Sequence, residues 1–120
     1  MERKKRIGRI GEIRFILEAL TRGLHVLNPE GEYGYDCVVE CNGKMTKVQI
    51  KTTSGIDGKL CYTWQISTKS EGADVYAFHI LNTDVFFMVY ATDVLTRKST
   101  FKIPFSKLHN HKLNNWDIFK

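Results

Sequence analysis

The Asn42-Gly43 pair is the feature that most restricts how this chain can fold. It directly joins two runs of strand-forming residues, 35–41 and 44–53. Asn-Gly is the preferred sequence of a two-residue type I′ turn, because both residues of that turn adopt positive φ. The chain is therefore predicted to form an antiparallel β-hairpin centred on this pair.

The length of the turn determines the register of the hairpin. A two-residue loop places Cys41 opposite Lys44, and counting outward along both strands places Asp36 directly opposite Gln49. Directly opposed residues share a face of the sheet, and alternate residues along a strand return to that face. Asp36, Gln49 and Lys51 are thus predicted to converge on one face. The opposite, apolar face is predicted to contain Cys37, Val39, Val48 and Ile50.

Three polar residues on one face of a hairpin have two interpretations. A sheet commonly exposes a polar face to solvent, and that alternative stays open at this point. However, Asp is disfavoured in strands, so Asp36 needs a specific reason. Carboxylate and amide oxygens are ligands for a hard divalent cation, and Lys51 can hold a water or stabilise a charged transition state. This combination favours hydrolysis of a phosphodiester by a metal-activated water.

A helix is predicted before the hairpin, over residues 8–22, ending at the natural cap Gly23. The prediction rests on apolar residues that recur at helical spacing: Ile10, Ile13, Ile16, Leu17, Leu20 and Leu24. We expect this apolar stripe to pack on the sheet. Glu12 lies one residue away from the stripe, at the edge of the buried face, where it can add a second carboxylate to the site.

The rest of the chain is dominated by predicted strands. Residues 75–81 and 85–91 form a second hairpin, whose near-continuous apolar strands are expected at the centre of a sheet. The order of elements indicates one domain over residues 1–120, of the α/β (α+β) class. The other predicted elements are strands within 24–29, 60–67 and 99–105 and short helices within 68–74 and 92–95.

The net charge of +5 favours an anionic partner, with nucleic acid as the leading candidate over a merely basic surface. The three cysteines show no CxxC spacing, which argues against a disulfide framework and a zinc site. No stretch is long and apolar enough to span a membrane, so we expect no membrane partner and an intracellular, reducing setting. A basic segment near the N-terminus is either a solvated tail or an arm that contacts phosphate: Arg3, Lys4, Lys5 and Arg6.

The motif set as a whole resembles the PD-(D/E)xK nuclease superfamily. Glu12 on a helix, Asp36 after a Pro-containing loop and Gln49-Ile50-Lys51 on the next strand follow the order of that pattern. The chain looks most like the small QxK branch, which includes the cyanobacterial group I intron homing endonuclease; archaeal Holliday junction resolvases are more distantly similar. The resemblance covers residues 8–119. It implies a restriction-endonuclease-like αβββ(α)β core, a mixed sheet with the N-terminal helix packed on it.

The resemblance also implies roles for the catalytic residues. Asp36 would be the central metal ligand, with the main-chain carbonyl of Ile50 and the side-chain oxygen of Gln49 as further ligands. Glu12 would bind a second metal directly or through water, and Lys51 would orient or activate the attacking water. The expected cofactor is Mg²⁺, with Mn²⁺ able to substitute, and no small-molecule organic cofactor is expected.

Gln49 departs from the commonest superfamily pattern, in which an acid stands at this position. A neutral amide removes one negative charge, so lower metal affinity is expected. Three functions therefore stay open: a metal-dependent DNA endonuclease acting on duplex DNA, a Holliday junction resolvase, or a catalytically inactive DNA-binding module of the same fold. We expect a homodimer or higher homo-oligomer, acting in its own cytoplasm or, if phage-encoded, in that of the host. The expected DNA contacts are Arg3, Lys4, Lys5, Arg6, Arg9, Thr52 and Thr53.

Overall fold

The computed structural model describes residues 2–29, 34–56, 60–66, 72–94 and 100–120. An N-terminal helix packs on a five-stranded mixed sheet of order β1-β2-β3-β5-β6, and a two-stranded sheet, β4-β7, forms a separate layer. The predicted α+β class and the helix packed on a mixed sheet are confirmed. In chain order the elements are α1 (Arg3–Thr21), β1 (His25–Leu27), β2 (Cys37–Cys41), β3 (Lys44–Thr53), β4 (Cys61–Gln65), β5 (Val75–Ile80), β6 (Val85–Tyr90), α2 (Ala91–Val94) and β7 (Thr100–Pro104), followed by 3₁₀ turns at Phe105–Asn110 and Trp116–Phe119.

Helix α1 begins earlier than predicted, at Arg3, so the basic N-terminal segment is helical and not a tail. Its C-terminus is a Schellman motif in which Gly23, at φ 81°, follows the last turn. The N–H of Leu24 donates to the carbonyl of Ala19 at 3.0 Å, and that of Gly23 donates to Leu20 at 3.0 Å. The predicted cap is therefore confirmed. In the part of the chain that the structure describes, no helix is long and apolar enough to cross a membrane.

The buried face of α1 differs from the predicted one. Gly11, Phe15 and Ala19 face the sheet, whereas Ile13 and Leu17 are 52% and 61% exposed. Phe15 stacks on the Trp116 ring, with the ring centroids 5.1 Å apart, and the small side chains on either side of it allow close packing. Of the predicted stripe, Leu24 is buried and Ile10 and Ile16 are half-buried, but aromatic stacking and close approach centred the buried face on Phe15.

The first hairpin has the predicted register. Asn42 and Gly43 have φ of 51° and 84°, as a type I′ turn requires, and Cys41 pairs with Lys44. Pairing continues outward only to Cys37 and Val48. The extrapolated pair of Asp36 with Gln49 was wrong, because the Asp36 N–H donates to the Val48 carbonyl at 2.8 Å and so leaves the register of the hairpin. The predicted apolar face is confirmed: Cys37, Val39, Val48 and Ile50 are buried in one core cluster with α1.

The second hairpin is antiparallel, as predicted, but its strands are not both central. Strand β5 is fully buried between β3 and β6, whereas β6 lies at the edge of the sheet. Asn115 covers this edge by accepting from the Met88 N–H at 2.7 Å and donating to the Met88 carbonyl at 2.9 Å. Asn114 likewise accepts from the Phe86 N–H at 3.1 Å. These side chains take the place of a neighbouring strand.

The β4-β7 layer covers the face of the main sheet that α1 leaves free. Trp64 and Phe101 from this layer pack against Phe78 of β5, with ring centroids 5.1 and 4.6 Å from that of Phe78. The predicted short helix at 92–95 begins one residue earlier, at Ala91. Most of the predicted helix within 68–74 lies outside the described residues.

Candidate active site

Strand β3 is longer than the strand beside it, and this difference opens the site. β3 pairs with β5 along its length from Val48 to Thr53, but its pairing with β2 ends at Val48. Among the described residues, no strand pairs with the other edge of residues 49–53. Main-chain groups of a strand are therefore accessible here, at a position where side chains from both faces can meet.

The Asp36 carboxylate occupies this open edge. Its Oδ2 accepts a hydrogen bond of 2.7 Å from the Ile50 N–H, which would otherwise pair with a neighbouring strand. The N–H and carbonyl of one strand residue point to the same side, so the Ile50 carbonyl also lies on this edge. Asp36 and the Ile50 carbonyl were both predicted metal ligands, and the structure places them at the same edge.

Gln49 and Lys51 approach the edge from the face opposite to Val48 and Ile50, and both are half-buried. Burial lowers the pKa of Lys51, and the negative charge of Asp36 partly opposes that change. Burial likewise raises the pKa of Asp36, opposed by the Ile50 hydrogen bond and, more weakly, by the positive charge of Lys51. The carboxylate and the ammonium are therefore close enough to interact.

Glu12 comes from the other side of the sheet, on α1. Its negative charge contributes to the raised pKa of Asp36, so the two carboxylates repel each other. Burial, followed by the negative charges of Asp36 and Glu12, raises the pKa of the Cys37 thiol to about 12. Arg9 donates to Glu12 Oε2 at 3.0 Å across one turn of the helix. The sequence had suggested a site on one face of the hairpin. The site instead surrounds an edge of β3.

A cleft of about 600 Å³ opens at this edge, and all the predicted catalytic and metal-binding residues line it: Glu12, Asp36, Gln49, Ile50 and Lys51. Of the predicted DNA contacts, Arg3, Lys4, Thr52 and Thr53 line the cleft as well. Lys5 and Arg6 are exposed but lie outside it, and Arg9 pairs with Glu12.

Residues that the sequence analysis missed form a second wall of the cleft. Thr63 and Gln65 contribute from β4, whose position over β3 no local sequence pattern indicates. Glu40 accepts from the Gly43 N–H at 2.8 Å and stabilises the turn, so it is not part of the site. Tyr62 and Trp64 are buried in the core and are not positioned to stack on bases.

The donor atoms of the cleft suit a hard divalent cation. Two repelling carboxylates gain stability from a shared cation, and the Gln49 amide and the Ile50 carbonyl add neutral oxygen donors. Within the described ranges, no group of three or more His, Cys, Asp or Glu residues is arranged to hold a metal. Gln49, a neutral amide, is not one of these residue types.

Comparisons with known proteins identify the fold and the family of the chain. A solved structure described as a bacterial homing endonuclease, I-Ssp6803I, matches 87% of this chain and 77% of its own chain, with a TM-score of 0.78 and 24% sequence identity. That similarity shows a shared fold. No curated protein sequence matches the chain. A sequence family described as PD-(D/E)XK endonuclease matches residues 2–114. The chain therefore belongs to the PD-(D/E)XK endonuclease family.

Proposed function

We propose that this protein is a Mg²⁺-dependent DNA endonuclease that hydrolyses phosphodiester bonds with a metal-activated water. The observation that carries the proposal is the arrangement at the open edge of β3, where Asp36 is held by the Ile50 N–H within reach of the charges of Glu12 and Lys51. Nucleases of this family generally use divalent metals, and the oxygen donors of the cleft favour Mg²⁺ over softer ions.

The side chains of Glu12, Asp36, Gln49 and Lys51 would have different roles in the reaction. Asp36, with the Ile50 carbonyl and Gln49, would hold one ion, and Glu12 would hold a second, directly or through water. A bound ion supplies Lewis-acid stabilisation and lowers the pKa of its water. Lys51 would orient the attacking water and stabilise the negative charge that develops on the phosphoryl oxygens. The water oxygen bonds to phosphorus as the bond to the leaving oxygen breaks, and that oxygen takes up a proton.

The positive charge near the cleft supports DNA as the substrate. Arg3 and Lys4 on the first turn of α1 line the cleft, where their cations add to the positive end of the helix dipole. Lys5 and Arg6 are exposed on the same turns and extend this basic surface beyond the cleft. Such a surface can hold the phosphate backbone on either side of the scissile bond.

A second copy of the chain is the proposed occupant of the exposed apolar face of α1, because two active sites are needed to cut both strands of a duplex. Ile13, Leu17 and Leu20 are each at least 52% exposed and lie on adjacent turns opposite the sheet. The first turn of α1 carries no acid and its last turn no base. In an antiparallel pair of helices, the basic start of each helix would therefore lie near the negative end of its partner's dipole.

Cleavage of supercoiled plasmid and of a synthetic four-way junction in Mg²⁺ tests the proposal. We expect wild type to cleave, and Lys51→Ala to be at least about a hundredfold slower. Lys112→Ala, at an exposed lysine outside the cleft, is the matched control and should cleave like wild type. Equal cleavage by wild type and Lys51→Ala would show that the active-site assignment is wrong. Preference for the junction over the duplex would identify a Holliday junction resolvase.

The second candidate is a DNA-binding module without catalysis, and the observation that favours it is the neutral Gln49. In that case neither wild type nor Lys51→Ala would cut any substrate in Mg²⁺ or Mn²⁺. Both would nevertheless bind DNA with an affinity that falls steeply as salt is raised.

A further inference from the structure

Four polar side chains contact one another in series, from α1 near Glu12 to the main sheet. Arg14 Nη1 donates to Asp84 Oδ2 at 2.9 Å, and Asp84 Oδ1 contacts Nε2 of His79 at 2.8 Å. The other ring nitrogen, Nδ1 of His79, contacts Thr52 Oγ1 at 3.4 Å. The chain of contacts thus begins on α1, passes through the β5–β6 turn and β5, and ends on β3 next to Lys51.

His79 is fully buried, and both of its ring nitrogens have partners. Burial lowers the pKa of His79 despite the opposing effect of Asp84, so the ring is neutral near pH 7. A carboxylate only accepts hydrogen bonds, so we infer that Nε2 carries the proton and that Nδ1 accepts from the Thr52 hydroxyl. The Thr52 hydroxyl is therefore directed at His79, on the side of β3 that faces α1.

Gly11 is where α1 touches this chain of contacts. A Cβ atom at this position would overlap Oγ1 of Thr52 and come within 3.3 Å of Nδ1 of His79. The helix can therefore sit at its observed distance from β3 only with glycine here. Glu12 is the next residue, and Arg14, the other attachment, follows two residues later.

We propose that Gly11, His79, Asp84 and Arg14 are positioning residues that hold Glu12 beside Asp36. The inference rests on the proposed function of Glu12 as a metal ligand. The negative charge of Glu12 opposes ionisation of Asp36, so keeping the two carboxylates close together without a cation costs free energy. The apolar contacts of Phe15 and Ala19 hold only the following turns of the helix. The polar network holds the turn on which Glu12 lies.

The effect of the network on metal affinity differs between a positioning role and a role in fold stability alone. If the network acts through Glu12, removing the Glu12 carboxylate makes the network irrelevant to metal binding, so the two effects do not add. If the network only stabilises the fold, its loss lowers the free energy of unfolding but leaves metal affinity unchanged, or adds to the loss caused by Glu12→Gln.

Calorimetric titration of the metal-free protein with Mn²⁺ tests this directly. We expect Gly11→Ala and His79→Gln each to weaken Mn²⁺ binding about tenfold, as Glu12→Gln does. Each double variant with Glu12→Gln should bind no more weakly than Glu12→Gln alone. Gly8→Ala is the matched control, because a Cβ there meets no atom within 4 Å, and its Mn²⁺ affinity should equal that of wild type.

Wild-type affinity in both network variants, or additive losses in the double variants, would overturn the inference. If Gly11→Ala does not fold, His79→Gln and the exposed variant Arg14→Gln carry the test. Absence of Mn²⁺ binding by wild type would overturn the assignment of Glu12 and the inference with it. DNA cleavage is measured separately: a wild type that binds Mn²⁺ with the predicted pattern but cuts no DNA contradicts the proposed function alone.

Discussion

The Asp36 carboxylate and the Ile50 main chain are joined by a hydrogen bond of 2.7 Å at the open edge of β3. Asp36 would bind a metal through its side chain, and Ile50 would bind it through its main-chain carbonyl. Because the Ile50 N–H holds the carboxylate, its position is set by the strand before any cation binds. This preorganisation explains how a carboxylate is kept in a half-buried position beside another negative charge.

Replacing Asp36 by Asn should stabilise the metal-free protein. Burial and the charge of Glu12 raise the pKa of Asp36, so the ionised carboxylate is unfavourable in the fold, whereas Asn keeps an acceptor for the Ile50 N–H. We expect the free energy of unfolding at neutral pH to increase by about 1 kcal/mol, and metal binding to be lost. Urea denaturation in the presence of a chelator measures the first effect.

The sign of the pH dependence provides a check on that cause. As the pH falls through the raised pKa of Asp36, the wild-type carboxyl becomes neutral, so the advantage of Asp36→Asn should shrink. Asp117→Asn is the control, since the Asp117 side chain is 91% exposed, and it should change stability by less than about 0.5 kcal/mol. An Asp36→Asn variant less stable than wild type would contradict the explanation.

Replacing Gln49 by Glu should strengthen metal binding. A third carboxylate in the cleft adds a charged ligand, so we expect the Mg²⁺ concentration for half-maximal cleavage to fall about tenfold. The metal-free protein should become less stable, because the new charge is repelled by Asp36 and Glu12. Cleavage rates across a Mg²⁺ series measure the first effect. Gln65→Glu, on the β4 wall of the same cleft, is the comparison; an equal effect there would indicate general charge in the cleft and not a ligand position.

Stability should depend on the protonation of His79. The pKa of His79 in the folded protein lies below the ordinary value of 6.5. Between these two values, His79 is mostly protonated in the unfolded chain and mostly neutral in the folded protein. The contribution is complete above pH 6.5 and is lost as the pH falls from 6.5 towards the lowered pKa, with a slope of at most about 1.4 kcal/mol per pH unit. Urea denaturation at about pH 7.5 and about pH 5.5 measures it. His79→Gln should show a smaller loss; an identical loss would assign the effect to other groups.

The exposed apolar face of α1 should control self-association. Leu17 is 61% exposed, so Leu17→Glu should alter the unfolding free energy of the protomer by less than about 0.5 kcal/mol while disrupting a packed interface. Sedimentation should then give the protomer mass of 13.9 kDa, against a multiple of it for wild type. Leu113→Glu, at a less exposed leucine of the C-terminal segment, should leave the assembly intact. A monomeric wild type would contradict the proposed interface.

The sequence by itself determined the parts of this protein that depend on neighbours in the chain. Asn42-Gly43 specified the turn and the register of the first hairpin, because the φ requirements of a type I′ turn are local. Gly23 specified the end of α1 for the same reason. The order of Glu12, Asp36 and Gln49-Ile50-Lys51 indicated the nuclease family, and the family match over residues 2–114 confirms that membership.

Only the tertiary structure decided which surfaces meet. Helical periodicity placed Ile13 and Leu17 on the face that was predicted to be buried. In the structure Phe15 is buried against the sheet instead, and it stacks on Trp116, which is distant in the sequence. The geometry of the turn set the register of β2 and β3 but not the residue at which their pairing stops. Pairing stops at Val48, so the site lies at an edge of β3 and not on the predicted face of the hairpin. The His79 network follows from the same cause: buried contacts between distant residues depend on packing, which no local pattern of residues encodes.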